Sequence, residues 1–285
     1  ASDVYKRQTI LYTVVVHNDG YTKECISAHE IRCCLFTFQG RNDILNYQID
    51  LLTKVFPGKS SAGALGLSTC ALLRAPGHTL LFDTAAHGVI KTIQNSLARL
   101  EVAPETVDTI FLSHMHYDHL NNAAYYPNAQ IIVGRSEWEY ATTSKDEWTP
   151  LESVLYLQHC RQVRLVDDGE EILPGIRAIW TPGHTPGHMS LAVDTPKGVV
   201  VLAGDAVKNR SELELEYSDQ YVDQQASTAS IKKIKSMAYK VLPGHDGYLL
   251  VQDGKVVPEQ ELVLDIMLPR GCMDGDNGVY HLSVK

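Results

Sequence analysis

Stretches of alternating or β-branched apolar residues are interleaved with stretches that repeat every three to four positions. Ile10 to Val16 is a β-branched run closed by the turn cluster His17-Asn18-Asp19-Gly20, which predicts a strand, and Ile31 to Phe38 predicts a second. Ile44 to Val55 predicts a short amphipathic helix, followed by a Gly/Ser-rich loop from Pro57 to Ser68. Thr69–Arg74 and Thr79–Phe82 flank Ala75-Pro76-Gly77-His78 as a hairpin, and the second strand runs straight into Asp83. Val89, Ile90, Ile93, Leu97 and Leu100 are spaced as one helix face, and Pro104 stops that helix. Val107–Leu112 is a predicted strand ending in Ser113-His114-Met115-His116-Tyr117-Asp118-His119. Further on, the pattern predicts a strand over 131–133, a helix from Glu137 to about Thr142 capped by Ser136, and a helix over 150–158. Strands follow over 163–166 and 176–180, then a hairpin of 190–193 with 198–202 that ends at Gly204-Asp205. A helix over 227–237 leads to a strand over 239–242 that ends at Pro243-Gly244-His245. Several strands therefore end in a His or Asp on the following loop, where a rigid sheet presents side chains accurately.

Composition narrows the class. The 285 residues are 44% hydrophobic and 21% charged, enough apolar material for a large core. No Pro/Gly/Ser-rich linker divides the chain and no repeat is visible, so one domain over 1–285 is expected, its motif-bearing core at about 10–250 and a C-terminal extension at 251–285. With 25 Lys and Arg against 34 Asp and Glu the net charge is −9, which argues against a nucleic-acid partner, since that needs a positive footprint. No run of 18 apolar residues exists, so no membrane partner is expected. Six cysteines without a C-x-x-C pair read as reduced thiols. The first residues lack a signal-peptide pattern, and the expected localisation is cytoplasmic.

The chemistry concentrates at His114-Met115-His116-Tyr117-Asp118-His119, which packs four metal-capable side chains into six residues. Neutral imidazoles suit zinc, iron or manganese, and the carboxylate adds a harder oxygen. His114 and His116 point the same way on an extended stretch, whereas adjacent Asp118 and His119 need a turn to aim at a second position. Two neighbouring metals use such a set more easily than one. His188 in Thr181-Pro182-Gly183-His184-Thr185-Pro186-Gly187-His188, Asp205 and His245 are the candidate ligands from later loops. No G-x-S-x-G or Ser-His-Asp arrangement supports acyl-enzyme chemistry.

Taken in order, the strand ending in Asp83, the H-x-H-x-D-H cluster at 114–119, G-H-x-x-G-H ending at His188, Gly204-Asp205 and Gly244-His245 resemble the metallo-β-lactamase-fold hydrolases over about residues 10–250. The resemblance implies an αββα sandwich, two mixed β-sheets face to face with helices outside, with metals at one edge. It implies that His114, His116 and His188 hold one metal, that Asp118, His119 and His245 hold a second, and that Asp205 bridges them. Asp83 would orient the H-x-H loop, and His184 is read as a structural member of its segment. The implied cofactor is two zinc ions, with iron or manganese as alternatives. The implied reaction uses a metal-bridging hydroxide, with Asp118 carrying the proton to the leaving group.

Among the branches, the layout is most similar to acyl-homoserine-lactone lactonases: 113 residues precede the cluster, and Ser190-Leu191 follow the G-H-T-P-G-H segment. Two departures stand out. Lys208 occupies the position, three residues after the bridging Asp, where that family has Tyr, and Asn121-Asn122 stand where Gly is usual. Lys208 is a candidate catalytic residue, able to bind an oxyanion, phosphate or carboxylate. The expected function is a dinuclear zinc hydrolase opening a lactone or related ester of a small molecule. The alternatives are a thioesterase, a phosphotriesterase or a mononuclear-iron persulfide dioxygenase. Segments 41–68, 142–160 and 208–224 are expected to line the pocket, offering Tyr47, Phe56, Trp148, Tyr217 and Tyr221.

Overall fold

The structure is a computed structural model that describes residues 15–17, 20–22, 46–61, 63–65, 67–144, 146–269 and 279–284. The chain divides into two compact units, residues 1–43 and 44–285. In the first, β1 (Val15–His17) pairs antiparallel with β2 (Gly20–Thr22). The predicted strand over 31–38 lies outside the described residues.

The second unit holds every motif. It opens with β3 (Gln48–Leu51), a short antiparallel pair β4 (Lys59–Ser60) and β5 (Gly63–Ala64), and the hairpin β6 (Ala71–Ala75) with β7 (His78–Phe82). β3 corrects the helix expected over 44–55. Tyr47, Ile49 and Leu51 alternate with Gln48 and Asp50, and β3 pairs with β6 in that register, Arg74 holding Asp50 at 2.7 Å. Helix α1 (Ile90–Arg99), β8 (Thr109–Leu112), the single turn α2 (Tyr117–Leu120), β9 (Gln130–Gly134), α3 (Arg135–Thr143), α4 (Leu151–Cys160) and β10 (Val163–Val166) follow. Helix α3 starts after Gly134 without a side-chain cap, so Ser136 is not its cap. These strands form a mixed six-stranded sheet in the order β10-β9-β8-β7-β6-β3.

The second sheet takes β11 (Glu171–Leu173), β12 (Ile176–Trp180), β13 (Met189–Thr195) and β14 (Gly198–Gly204). After α5 (Arg210–Leu215) and α6 (Gln224–Met237) come β15 (Lys240–Pro243), β16 (Leu249–Gln252) and β17 (Lys255–Pro258). All seven strands stand in sequence order, with only β14–β15 parallel. The antiparallel pair β18 (Leu262–Met267) and β19 (Val279–Val284) ends the described chain.

Strand periodicity sorts the core into layers. Leu80, Phe82 and Phe111 from the first sheet share one core with Leu191, Val193, Val200 and Leu202 from the second, so the sheets pack face to face. Their neighbours Leu81, Ile110 and Leu112 point the other way, onto Ile93 and Leu97 of α1 and Val154 and Leu157 of α4. Ala192, Val201 and Val241 point outward onto Leu213 of α5 and Ile231 and Ile234 of α6. The layers are therefore helix, sheet, sheet, helix. Burying one large aliphatic side chain stabilises by about 1.5–3 kcal/mol, so a three-layer core of this size holds the strand ends firmly. Strands β7 and β8 run parallel, β12 and β14 share one direction through antiparallel β13, and β15 is parallel to β14. The loops leaving their C-terminal ends carry Asp83, the 113–119 cluster, the 181–188 segment, Asp205 and His245.

Candidate metal centre

Backbone turns set the first side chains. Asp83 leaves β7 at a left-handed φ of 55° and accepts three bonds: Ser113 N–H at 2.7 Å, the Ser113 hydroxyl at 2.8 Å and His119 Nδ1 at 2.8 Å. Ser113, its proton spent on Asp83, accepts from His114 Nδ1 at 3.0 Å. His116 stands in extended backbone just before α2 and donates Nε2–H to Asp146, 2.9 Å away. His184 donates Nδ1–H to the carbonyl of Gln220 at 3.1 Å. A carboxylate or carbonyl only accepts, so each partner fixes the tautomer of its imidazole. The lone pairs left over are His114 Nε2, His116 Nδ1, His184 Nε2 and His119 Nε2, and they converge on one place.

Two ligand groups result. His114, His116 and His184 bring their donor atoms within 4.8 Å of one another, and so do Asp118, His119 and His245. His114, His119 and Asp205 form a third such set that joins the two. Asp205 spans them: its Oδ1 lies 3.2 Å from His119 Nε2 and 3.3 Å from His245 Nε2, its Oδ2 3.4 Å from His184 Nε2. Asp118 Oδ2 is 3.6 Å from His245 Nε2 and 3.8 Å from His119 Nε2. The facing His116 Nδ1 and His184 Nε2 are only 3.1 Å apart. Buried His114 Nε2, His119 Nε2 and Asp205 Oδ1 have no hydrogen-bond partner. Buried polar atoms are normally satisfied, so lone pairs aimed at each other in the interior fit a cation and little else.

Electrostatics agree. Burial, with its neighbouring imidazoles, pushes His114 well below the usual imidazole range; burial and the Lys208 ammonium do the same to His184. Both therefore stay neutral and ready to donate a lone pair. Burial also disfavours charge on His119, but Asp205, Asp118 and Asp83 outweigh it and hold that imidazole well above its ordinary value. Burial likewise opposes ionisation of Asp205, yet His245, Lys208 and His119 keep it well below the usual carboxylate range. Three carboxylates around one buried point make a place for positive charge.

All seven expected ligands gather here, His188 with its ring 5.1 Å from that of His114, but its nitrogens are bonded differently from the others. Ser190 gives its proton to the Ala203 carbonyl at 2.9 Å, so Thr181 donates to Ser190 at 2.8 Å and accepts from His188 Nδ1 at 3.0 Å. The other nitrogen of His188 accepts the Ala206 N–H at 3.2 Å. Both nitrogens of His188 are thus hydrogen-bonded in this structure, and burial first of all lowers its pKa to about 3. His184, expected to be structural, stands in the cluster as well, its ring 4.9 Å from that of His114. A G-H-T-P-G-H segment offers two imidazoles, and both reach the cluster.

Asp146, Gln220 and Glu137 carried no sequence signal. Buried Glu137 accepts Met115 N–H at 2.9 Å and the Thr185 hydroxyl at 2.6 Å, tying α3 to both histidine-bearing loops; burial raises its pKa. His245 N–H donates to the Lys208 carbonyl at 2.8 Å, and the neighbouring Asp246 is clasped by Arg210 at 2.7 and 2.9 Å. Lys208 Nζ lies 3.3 Å from Asp205 Oδ2 and donates to the Gln220 side chain. Asn122 replaces a small residue for a local reason: its side chain donates to the carbonyls of Thr84, Ala85 and Ala86 and pins the loop after β7.

A cavity of about 910 Å³ opens over the cluster. All three expected segments line it, through Pro57–Ser60, Asp146–Trp148 and residues between Lys208 and Val222. Trp148 and Tyr221 face it, whereas Tyr47 and Phe56 are core residues and Tyr217 is exposed elsewhere.

The model of the metallo-beta-lactamase superfamily matches residues 63–245. The chain belongs to that superfamily, a family of metal-dependent hydrolases. An N-acyl homoserine lactonase from a Bacillus species is 34% identical over 163 residues, covering 54% of this chain and 62% of the relative. One from Bacillus cereus is 32% identical over 159 residues, covering 53% and 60%. The chain thus spans about three fifths of the length of these relatives. A solved quorum-quenching N-acyl homoserine lactone hydrolase superposes with a TM-score of 0.57 at 26% identity, covering 67% of this chain and 87% of that one. A solved protein from Thermotoga maritima, 18% identical, shares the fold with a TM-score of 0.60 over 72% of this chain and 99% of that one. Among the described residues no helix is long and apolar enough to cross a membrane.

Proposed function

We propose that this chain is a dinuclear zinc hydrolase that opens the ring of an N-acyl homoserine lactone or a closely related ester. The observation that carries the reading is the pair of ligand groups joined by Asp205, with its inward lone pairs. His114, His116 and His184 would hold one ion, Asp118, His119 and His245 the other, and Asp205 would give one oxygen to each. Such a pair acidifies water at neutral pH and polarises an ester carbonyl. The protein supplies the rest. Asp118, partly open to the cavity, takes the proton released by the attacking water and returns it to the leaving alkoxide. Lys208, steered by Gln220, offers an ammonium hydrogen to a substrate oxygen that gains charge. Tyr117 and Trp148, stacked 6.2 Å apart, form an apolar wall for an acyl substituent. The similarity to named lactonases supports the lactone choice.

Metal analysis with a substrate panel tests the reading. The expected result is about two zinc per chain, and turnover on N-acyl homoserine lactones exceeding that on thioesters and phosphotriesters. Asp205→Ala should lose metal together with activity, since one carboxylate serves both ions. Two retained metals and near-normal turnover in that variant would overturn the assignment, and one iron with oxygen uptake would replace it by the dioxygenase reading.

A further inference from the structure

The two ligand groups are braced in different ways. His119 is held by Asp83, which is fully buried beside Ser113 at the end of β7. His116 is held by Asp146, which lies on the loop between α3 and α4, thirty positions along the chain. That loop is organised by the same carboxylate. Asp146 Oδ1 accepts Trp148 N–H at 3.0 Å, Oδ2 receives the Tyr140 hydroxyl at 3.3 Å, and the Trp148 carbonyl accepts Tyr117 N–H at 2.9 Å. The turn so formed lays Trp148 against Tyr117 at the cavity wall.

We propose that Asp146 is the positioning residue of the metal position that takes His114 and His116, and couples it to the cavity wall. The step rests on the metal-site reading above and adds a residue and an asymmetry to it. An imidazole has two nitrogens and, when neutral, one proton. His116 can face the cluster with a lone pair on Nδ1 only while Nε2 keeps the proton. Asp146 can only accept, so it holds that proton in place and fixes the plane of the ring. Without it, His116 can move its proton to Nδ1, where His184 Nε2 lies 3.1 Å away and accepts it. The proton then stands where His116 would offer the metal its lone pair. The position held by Asp118, His119 and His245 has no contact with Asp146 among the interactions of these side chains, and its own brace, Asp83, is untouched.

A carboxylate behind a ligating histidine typically contributes 10- to 100-fold in metal affinity. The test is a competition titration of metal-stripped protein with zinc against a chromophoric chelator, comparing the wild type with Asp146→Ala and Asp146→Asn. In Asp146→Ala one of the two zinc equivalents should weaken 10- to 100-fold while the other stays within about threefold. Asp146→Asn keeps an acceptor without the charge, and should fall between. Should the alanine variant fail to fold, the asparagine variant carries the test alone with the same one-sided loss. Unchanged affinities for both ions, or equal weakening of both, would overturn the assignment. The wild-type titration is read separately: fewer than two zinc equivalents there rejects the dinuclear reading itself, whereas two equivalents with an indifferent Asp146 rejects only this inference.

Discussion

In the proposed site two histidines four positions apart take different parts according to what each nitrogen touches. His184 gives its Nδ1 proton to Gln220 and turns Nε2 toward His116 and Asp205, whereas His188 donates to Thr181 and accepts Ala206 N–H. His184→Ala should therefore lower the zinc content toward one per chain. His188→Gln should retain two while unfolding more easily, because it breaks the bonds to Thr181 and Ala206. Atomic absorption with a urea melt separates the outcomes, and the reverse pattern would restore His188 as the donor. Lys208 poses a different question. Its ammonium is largely buried, faces Asp205 and is tethered by Gln220, so it is aimed at the cavity floor rather than at solvent. Lys208→Met keeps the stem and removes the charge. The loss in kcat/KM should correspond to about 2–3 kcal/mol, the scale of one oxyanion donor, and be larger for anionic esters than for neutral lactones. Equal kcat/KM ratios across both substrate types in variant and wild type would make the ammonium a structural tether.

At the level of elements, close approach explains the Gly/Pro punctuation of the 181–188 loop. Gly183 has a φ of 135°, and a Cβ there would stand 2.3 Å from the Ser227 backbone at the start of α6. A Cβ on Gly187 would stand 1.9 Å from Glu137 N in α3. Gly187→Ala should push the loop off α3 at a cost of about 1–3 kcal/mol or more, visible as a lower Tm, and should weaken zinc at His184 in the same protein. A variant with unchanged Tm and zinc affinity would show that the approach is not needed. The strand ends were legible because runs such as Leu80-Leu81-Phe82 lead directly into a chemical residue, with period-2 burial setting the direction of the strand. The strand β3 was hidden: the alternation at Tyr47, Ile49 and Leu51 is short and flanked by apolar residues at helical spacing. Helix α5 was missed although Asn209 caps it through Ser211 N–H and Glu212 N–H. Asp146 and Gln220 were beyond sequence reasoning, because their partners are thirty or more positions away and are met only when the layers pack.

Among the described residues, the buried histidines and Asp83, Asp205 and Asp246 gather at the strand ends of the sandwich in residues 44–285, and this makes its stability depend on metal and on pH. Ions that bind only the folded state add RT ln(1 + [metal]/Kd), about 4 kcal/mol at a thousandfold excess over Kd, so stripping them should lower the unfolding midpoint. What remains is set by protons. For His188 the folded pKa is lowered to about 3 from 6.5. Between those values the unfolded chain binds a proton that the folded one refuses, so stability is full above 6.5, falls as the pH drops toward 3 and changes no further below. His114 and His184, also lowered, act in the same direction. His119, raised by its carboxylates, acts in the opposite one: its contribution is full below 6.5 and is lost as the pH rises through its folded value. With three of these buried histidines lowered against one raised, their sum should make the metal-stripped protein less stable on acidification below about 6.5. The share of His188 is isolated by urea unfolding of stripped wild type and His188→Gln between pH 6 and 4. The variant starts lower at neutral pH, but its stability should decline less steeply, by up to about 1.4 kcal/mol per pH unit, the slope of one proton. Parallel slopes would mean that His188 accepts its proton without disturbing Ala206 and Thr181, and would remove the physical reason for excluding it from the metal.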